Sequence, residues 1–393
     1  MKSLEIFSGA GGLATGLSLA NFEHVALVER NKHASATLRQ NFESAKIFCG
    51  DIKDFDFSSF EDIDLVAGGP PCQPFSLGGK HRADQDQRDL FPQAIKAIET
   101  LAPRAFIFEN VKGLLRSSFA DYFEYIRLRL TYPRAVCAVD CDWKQHLLVL
   151  RSLKKYSDLT YDVQFALLNA ADYGVPQQRE RVFIVGLRSD LKLQWSFPKP
   201  THSREQLLWD MNVTGSYWKR HDLPSILNDQ EVSRATSHLQ PWKTIRDALQ
   251  DVPDPQSVHG IPDHVFRDGA RSYPGHTGSP LDWVSKTIKA GDHGVPGGEN
   301  MLRFENGTVR YLTVFEAKKI QTFPEQYQIE GAWTEAMRQI GNAVPVKLAQ
   351  ILGQQLRQTL EVSNSRVSEG IRQPIPSIQH NLFESLSSSS SNL

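Results

Sequence analysis

Cysteine is scarce in this chain. Four thiols are spread over 393 residues, at Cys49, Cys72, Cys137 and Cys141, and none falls in the Cys-x-x-Cys pairs that build zinc ribbons or dithiol redox centres. Each is expected to be a free thiol. Cys137 and Cys141, lacking a second cluster of ligands, are expected to pack rather than to hold a metal. Long apolar runs are absent too: no stretch approaches the ~20 residues that span a bilayer, and no charged-then-apolar leader opens the sequence. The expectation is a soluble cytoplasmic protein with no membrane partner. A charge signature is also missing. The net charge of −1 is silent about nucleic acid, because a neutral total can hide a basic cleft balanced by acidic surface elsewhere. No internal repeat is visible. The 40% hydrophobic content suffices for two packed domains over this length, so disorder is not the default.

What is present is alternation. Short apolar runs at 4–7, 24–29, 64–68 and 105–109 are separated by helical patterns near 13–20, 32–41 and 92–101, the signature of βαβ units and a parallel sheet. Strand-like runs at 163–168 and 181–186 extend that sheet, which makes the expected fold α/β, Rossmann-like, with helices on both faces. From about residue 191 the pattern gives way to stretches such as Pro198-Lys199-Pro200-Thr201-His202 and the glycine-rich 291–298. These fit a smaller, loop-rich second domain. Helical spacing returns at 313–321 and 346–360. The polar, serine-rich tail from about 363 is expected to be disordered.

The first strand ends in Ser8-Gly9-Ala10-Gly11-Gly12-Leu13-Ala14, a glycine turn between strand and helix that lets a ligand approach the backbone and the helix N-terminus. Glu29 closes the second strand, where a carboxylate can accept hydrogen bonds from ribose hydroxyls. Asp51-Ile52, past the third apolar run, is suited to an adenine amine and ring. Together these indicate an adenosine-containing cofactor, and at this point a dinucleotide oxidoreductase fits equally well.

After the strand at 64–68 comes Gly69-Pro70-Pro71-Cys72-Gln73-Pro74-Phe75-Ser76. A lone cysteine is more often a small buried hydrophobe. Three prolines around this one argue against a helix or central strand and suit a preorganised loop beyond the carboxyl edge of the sheet. The strand at 105–109 delivers Glu109-Asn110-Val111 to the same edge, where a carboxylate can hold or exchange a proton. Gln177-Gln178-Arg179-Glu180-Arg181 precedes another strand and reads either as a solvated charge run or as two guanidiniums aimed into a cleft.

In order, Phe7-Ser8-Gly9-Ala10-Gly11-Gly12, the Cys72 loop, Glu109-Asn110-Val111, Gln177-x-Arg179-x-Arg181, Arg310-x-Leu312-Thr313-x-x-Glu316 with Gln321-x-Phe323-Pro324, and Gln339-Ile340-Gly341-Asn342-Ala343-Val344-Pro345 resemble the motifs of the cytosine-C5 DNA methyltransferase family, and in particular its bacterial restriction-modification members. The resemblance implies a DNA (cytosine-5-)-methyltransferase that uses S-adenosylmethionine, needs no metal and acts as a monomer on double-stranded DNA. It makes Cys72 the nucleophile toward a flipped cytosine, with Glu109, Asn110, Arg179 and Arg181 as its catalytic partners. It places Phe7, Gly9, Gly11, Gly12, Leu13, Glu29, Asp51, Ile52, Pro70, Asn342 and Val344 around the methyl donor, so a C-terminal helix must return to the first domain. Lys286-Thr287-Ile288 resembles the threonine-plus-aliphatic pair of target-recognition regions. The implied domains are 1–189 with 336–362 for catalysis, 190–335 for target recognition and hinge, and a tail of 363–393. Arg30 departs from the pattern, since an apolar residue there often covers adenine. Two rivals share most of these blocks, an RNA (tRNA) cytosine methyltransferase and a catalytically silent DNA-binding relative. The stretch 117–161 is longer than the family core needs.

Overall fold

The computed structural model describes residues 1–71, 90–137, 141–153, 158–226, 238–290 and 300–370, with 363–370 as a helical backbone path only. The first unit runs β1 (Lys2–Ile6), α1 (Gly12–Leu19), β2 (Glu23–Glu29), α2 (Lys32–Asn41), β3 (Lys46–Cys49), β4 (Leu65–Gly68), α3 (Phe91–Leu101), β5 (Ala105–Val111), α4 (Ala120–Thr131), α5 (Trp143–Ser152), β6 (Tyr161–Asn169) and β7 (Glu180–Arg188). These strands form one seven-stranded sheet in the order β3-β2-β1-β4-β5-β7-β6. Strands β1 to β5 pair in parallel, and β7 runs antiparallel to both neighbours. The chain moves outward from β1 in one direction through β2 and β3, then restarts on its other side with β4. A ligand crevice forms at such a reversal, outside the carboxyl ends of the strands.

Alternation along the strands covers both faces. Val66, Phe106 and Phe108 pack with Ile95 and Ile98 of α3 and Phe123 and Ile126 of α4. Leu65, Ala67, Ala105 and Ile107 face the other way, toward Leu13 and Leu17 of α1. The stretch 117–161 becomes a helical cover over β6. Arg151 ties its two helices together through Asp121 and Glu124, and Asp142 starts α5 with a capping box. Cys137 and Cys141 are joined as a disulfide, which corrects the expectation of free thiols. The two cysteines lie between α4 and α5 with their Cα atoms 6.2 Å apart, a proximity that composition does not reveal.

The second unit contains β8 (His202–Ser203), α6 (Arg204–Asn212), α7 (Ser216–Arg220), β9 (Gln240–Pro241), α8 (Ile245–Leu249), β10 (Ser279–Pro280), β11 (Met301–Arg303), β12 (Val309–Tyr311) and α9 (Val314–Ile320). It has its own apolar clusters, one around Ile245, Leu302, Leu312 and Ile320, the other around Leu207, Tyr217, Trp218 and Trp242. Helix α10 (Trp333–Asn342) adds Met337 and Ile340 to the first of these. The chain then crosses back, and α11 (Val346–Gly370) lays Leu348, Leu352, Leu356 and Leu360 beside α1. Helix α11 passes residue 363, where composition predicts the tail to begin. No glycine or proline lies between Glu361 and Glu369 to stop it, and Gly370 is its last residue. The rest of the expected tail, 371–393, lies outside the described residues. Among the described residues no helix is long and apolar enough to cross a membrane.

The return of α11 depends on two glycines. A Cβ on Gly12 would sit 2.3 Å from Val344 O, and one on Gly16 would sit 2.4 Å from Ala349 Cβ and 2.6 Å from Val346 O. Glycine to alanine within an exposed helix normally stabilises by up to ~1 kcal/mol. Gly16→Ala is expected to do the reverse and cost about 1–3 kcal/mol through overpacking. Urea denaturation measures it, and a more stable alanine variant would refute this contact.

Candidate active site

Residues from four consecutive parallel strands converge at the reversal point. Phe7 follows β1 with a left-handed φ of 56°, and Gly9 and Gly11 follow it at 53° and 76°. This winding turns the chain over the edge of the sheet into α1, and nothing lies within 4 Å of the place where a Gly9 Cβ would stand. Glu29 ends β2 and accepts from Gly9 N at 2.8 Å and Asn31 N at 2.7 Å. Each carboxylate oxygen keeps a further lone pair for an incoming hydroxyl. A cavity of about 570 Å³ opens here, lined by Phe7, Val28, Glu29, Arg30, Gly50, Asp51, Ile52, Lys53, Gly69, Pro71 and Leu90. That volume lies in the range of cofactor sites.

Four of the residues expected at the methyl donor, Phe7, Glu29, Asp51 and Ile52, therefore line one cavity. Others act nearby: Leu13 and Val344 are buried in the core beneath the glycine turn, and Asn342 is exposed at the end of α10. Arg30, the departure from the family pattern, lines the cavity and reaches Asp51 at 3.8 Å across an exposed gap. Val28, Gly50, Lys53 and Leu90 carry no signal in the sequence, because they contribute through their position, near the ends of β2 and β3, in the turn after β3 and at the start of α3, rather than through side-chain chemistry.

Glu109 and Arg181 form the charged centre. Arg181 Nε donates to Glu109 Oε1 at 2.8 Å, and the two side chains are only 16% and 11% exposed. Strand pairing makes this possible. Val111 lies opposite Arg181 in the antiparallel β5–β7 register, so Glu109, two residues back on the same face, is Arg181's diagonal neighbour. The second Glu109 oxygen lies 3.4 Å from where a Gly69 Cβ would be, which puts the carboxylate against the loop that leads to Cys72. Asn110, on the opposite face, donates Nδ2 to Pro70 O at 3.0 Å and accepts from Val111 N. Cys72 itself lies outside the described residues. Its flanking residues are joined, Leu90 N donating to Pro71 O at 3.2 Å.

Arg179 differs from the expectation that it shares the cleft with Arg181. It is 1% exposed and donates to Ile288 O at 3.3 Å and Gly341 O at 2.9 Å. Burial, then the nearby Arg181 charge, drives its guanidinium well below its ordinary pKa. Residues two apart on a strand should share a face, but Arg179 lies one residue before β7 begins and follows the turn instead. The expected DNA-reading triplet is also engaged internally. Thr287 donates to Gln178 O, Ile288 N donates to Gln177, and Lys286 Nζ holds Thr277. Ile288 is fully buried with Ile245 and Ile340, so its side chain packs and does not read a groove. The glycine-rich 291–298 lies outside the described residues.

This mostly parallel sheet, with an antiparallel β7 and a cavity at its reversal point, is a Rossmann-like methyltransferase fold. The chain belongs to the C-5 cytosine-specific DNA methylase family, whose model matches residues 1–131 and 143–358. It is 32% identical over 366 residues to Type II methyltransferase M.NgoMIV of Neisseria gonorrhoeae, covering 92% of this chain and 99% of that protein. It is 31% identical over 376 residues to Type II methyltransferase M.NgoPII of the same organism, covering 92% and 96%. The fold is shared with the Dnmt2 methyltransferase of S. pombe, at a TM-score of 0.56 and 18% identity over 92% of this chain and 99% of that one.

Beneath the glycine turn, Glu5 is fully buried with one carboxylate oxygen unpartnered, and burial raises its pKa well above 4.5. Because the folded pKa exceeds the unfolded one, the native state holds the extra proton between them, and stability falls as pH rises through that window. Glu5→Gln removes this titration. Its stability relative to the parent should grow with pH above about 4.5, by at most ~1.4 kcal/mol per unit, in denaturant titrations at several pH values; a constant difference refutes it. Asn110→Ala leaves Pro70 O buried without a donor. It is expected to cost about 1–3 kcal/mol and to slow methylation while leaving donor affinity unchanged, measured by calorimetry beside a methyl-transfer assay.

Proposed function

We propose that this protein transfers a methyl group from S-adenosylmethionine to C5 of a cytosine flipped out of a short double-stranded DNA sequence, through a covalent bond between Cys72 and C6. The observation that carries this reading is the Glu109–Arg181 pair, held against Gly69 at the mouth of the loop bearing Cys72. The cavity beside it fits the donor: the open space over Gly9 admits a ligand to the backbone, and Glu29 offers free lone pairs to a ribose. When bound there, S-adenosylmethionine supplies an electrophilic methyl.

Cytosine C5 is a weak nucleophile until the ring is activated. Addition of the Cys72 thiolate to C6 makes C5 enamine-like, and because an ordinary thiol titrates near ~8.5 the site must favour thiolate. Glu109 protonates or hydrogen-bonds N3 as the sulfur adds. Arg181 holds Glu109 and offers its remaining N–H groups to the cytosine carbonyl, where negative charge develops. Asn110 keeps the nucleophile's loop in register. Once C5 carries the methyl, it loses its proton to a base, the C6–sulfur bond breaks and aromaticity returns. A stacked base cannot present C6 to this pocket, so the cytosine must be extruded.

Residues 1–189 with 336–362 form the catalytic domain in this reading, and 190–335 the target-recognition domain and hinge. The separate apolar clusters support the division. Helix α10 packs into the Ile245 cluster of the second unit and Val344 into the core of the first unit, which favours a crossing at 341–344. The names of the relatives, Type II methyltransferases, favour a protective role in a restriction-modification system, as a monomer in a bacterial cytoplasm. Cys72→Ser should bind donor normally and methylate nothing. The unmutated enzyme should be trapped covalently by 5-fluorocytosine in its target, since fluorine cannot leave as a proton does. Full activity in Cys72→Ser would sink the mechanism.

A further inference from the structure

The turn that lines the cavity is strained at its first residue. Phe7 holds a left-handed φ of 56° despite its side chain, and a residue other than glycine stays in that region only where its surroundings fix it. Much of what fixes this turn is local: Ser8 N donates to Val28 O at 3.1 Å, Gly11 N to Ser8 O at 2.9 Å and Thr15 Oγ1 to Gly11 O at 2.6 Å. One hold is remote. Tyr327 Oη donates to Ala10 O at 2.6 Å, from 317 residues along the chain. This tyrosine is 4% exposed, and its ring packs edge-on to Phe42 and tilted against Phe323. The position of a Gly11 Cβ lies 2.6 Å from the hydroxyl, so glycine at 11 serves the approach of Tyr327 as well as the winding of the turn.

Tyr327 is itself clamped on both sides. Lys318 of α9, 3% exposed, donates Nζ to Tyr327 O at 2.7 Å and to Asp263 Oδ2 at 2.6 Å. Asn41 of α2 brackets the next residue, accepting from Gln328 N at 3.0 Å and donating to Gln328 O at 2.8 Å, and Glu330 N donates to Thr37 Oγ1 at 2.9 Å. We propose that Tyr327 is a positioning residue for the methyl donor, its hydroxyl holding the glycine turn in the shape that the donor meets. The identity of the donor rests on the function proposed above. Ala10 stands between Gly9 and Gly11, and nothing lies within 4 Å of the Gly9 Cβ position, so the backbone open to a ligand is one residue from the carbonyl that Tyr327 holds. Tyr327 does not line the cavity and acts through Ala10. Without this bond the turn is free to relax at Phe7, and donor affinity falls. Glu109 and Arg181 sit on β5 and β7 and keep their places.

The test is Tyr327→Phe, which keeps the ring and its packing and removes only the hydroxyl, with Tyr161→Phe for comparison. Tyr161 is 1% exposed and donates its hydroxyl to Pro103 O at 2.7 Å, the same kind of bond, made beside the amino end of β5 and away from the cavity. In Tyr327→Phe the affinity for S-adenosylmethionine, by calorimetry without DNA, should fall about 3- to 10-fold, the range of one net hydrogen bond. The donor KM should rise in step, while kcat at saturating donor and the KM for duplex DNA stay parental. Tyr161→Phe should lose stability in urea and still bind the donor as the parent does. Parental donor affinity in Tyr327→Phe overturns the proposal. So does equal weakening in both variants, which would mark a general loss of stability. Failure of the parent itself to bind S-adenosylmethionine would count against the proposed function instead, a result distinct from a parental Tyr327→Phe.

Discussion

The close contact between α1 and the start of α11 is the constraint on which the site depends. Two helices more than three hundred residues apart in sequence touch backbone to backbone because Gly12 and Gly16 carry no side chain there. Such an approach leaves no room for slippage, since protein interiors are packed to crystal-like density. It fixes the glycine turn from below. It also determines where the chain re-enters after the second unit, and so sets Ala343 and Val344 against Gly12 of the glycine turn.

The antiparallel insertion of β7 is the second determinant. A wholly parallel sheet would present only carboxyl ends at the active edge, each followed by a loop. Strand β7 presents its amino end there, so a long cationic side chain can project from a rigid element directly beside Glu109. Rigid placement matters for a group that must meet developing charge without reorganising. On the other face of the same strand pair, Asn110 grips Pro70, so alternate residues of β5 hold the ion pair and the loop without competing for space.

Much of this was legible in the sequence because it is written in short-range patterns. Alternating apolar runs placed β1, β2 and β4 to β7 with helices α1 to α3, though not α4 and α5, and the glycine turn, the proline-bounded loop and Glu109-Asn110 announced one edge of a sheet. What sequence could not show were properties of the chain's path after distant segments meet. Arg179 and Arg181 look equivalent two residues apart, yet one lies before the strand begins and turns inward. Ile288 looks available in a loop-rich region, yet it fills the core of the second unit.

The burial of Arg179 deserves a physical explanation beyond its departure from the cleft. A guanidinium deep in the protein is costly unless its donors are satisfied, and here Nη1 and Nη2 meet carbonyls of separate segments, Ile288 O and Gly341 O, while Nε is buried without a partner. Gly341 approaches the backbone of Lys289 and Ala290 so closely that a Cβ would lie 2.6 Å from each. Asn300 brackets Lys289 through both its N–H and its carbonyl, Gln177 accepts from Ile288 N, and Gln321 donates to Ile340 O. The strand that carries Arg181, the second unit and the lead-in to α11 are therefore joined by buried polar side chains acting on backbone. Apolar packing alone tolerates small shifts between units, whereas a buried donor that loses its acceptor costs about 1–3 kcal/mol. The network thus penalises any displacement of the second unit relative to Arg181, and it does so within a few residues of the Glu109–Arg181 pair.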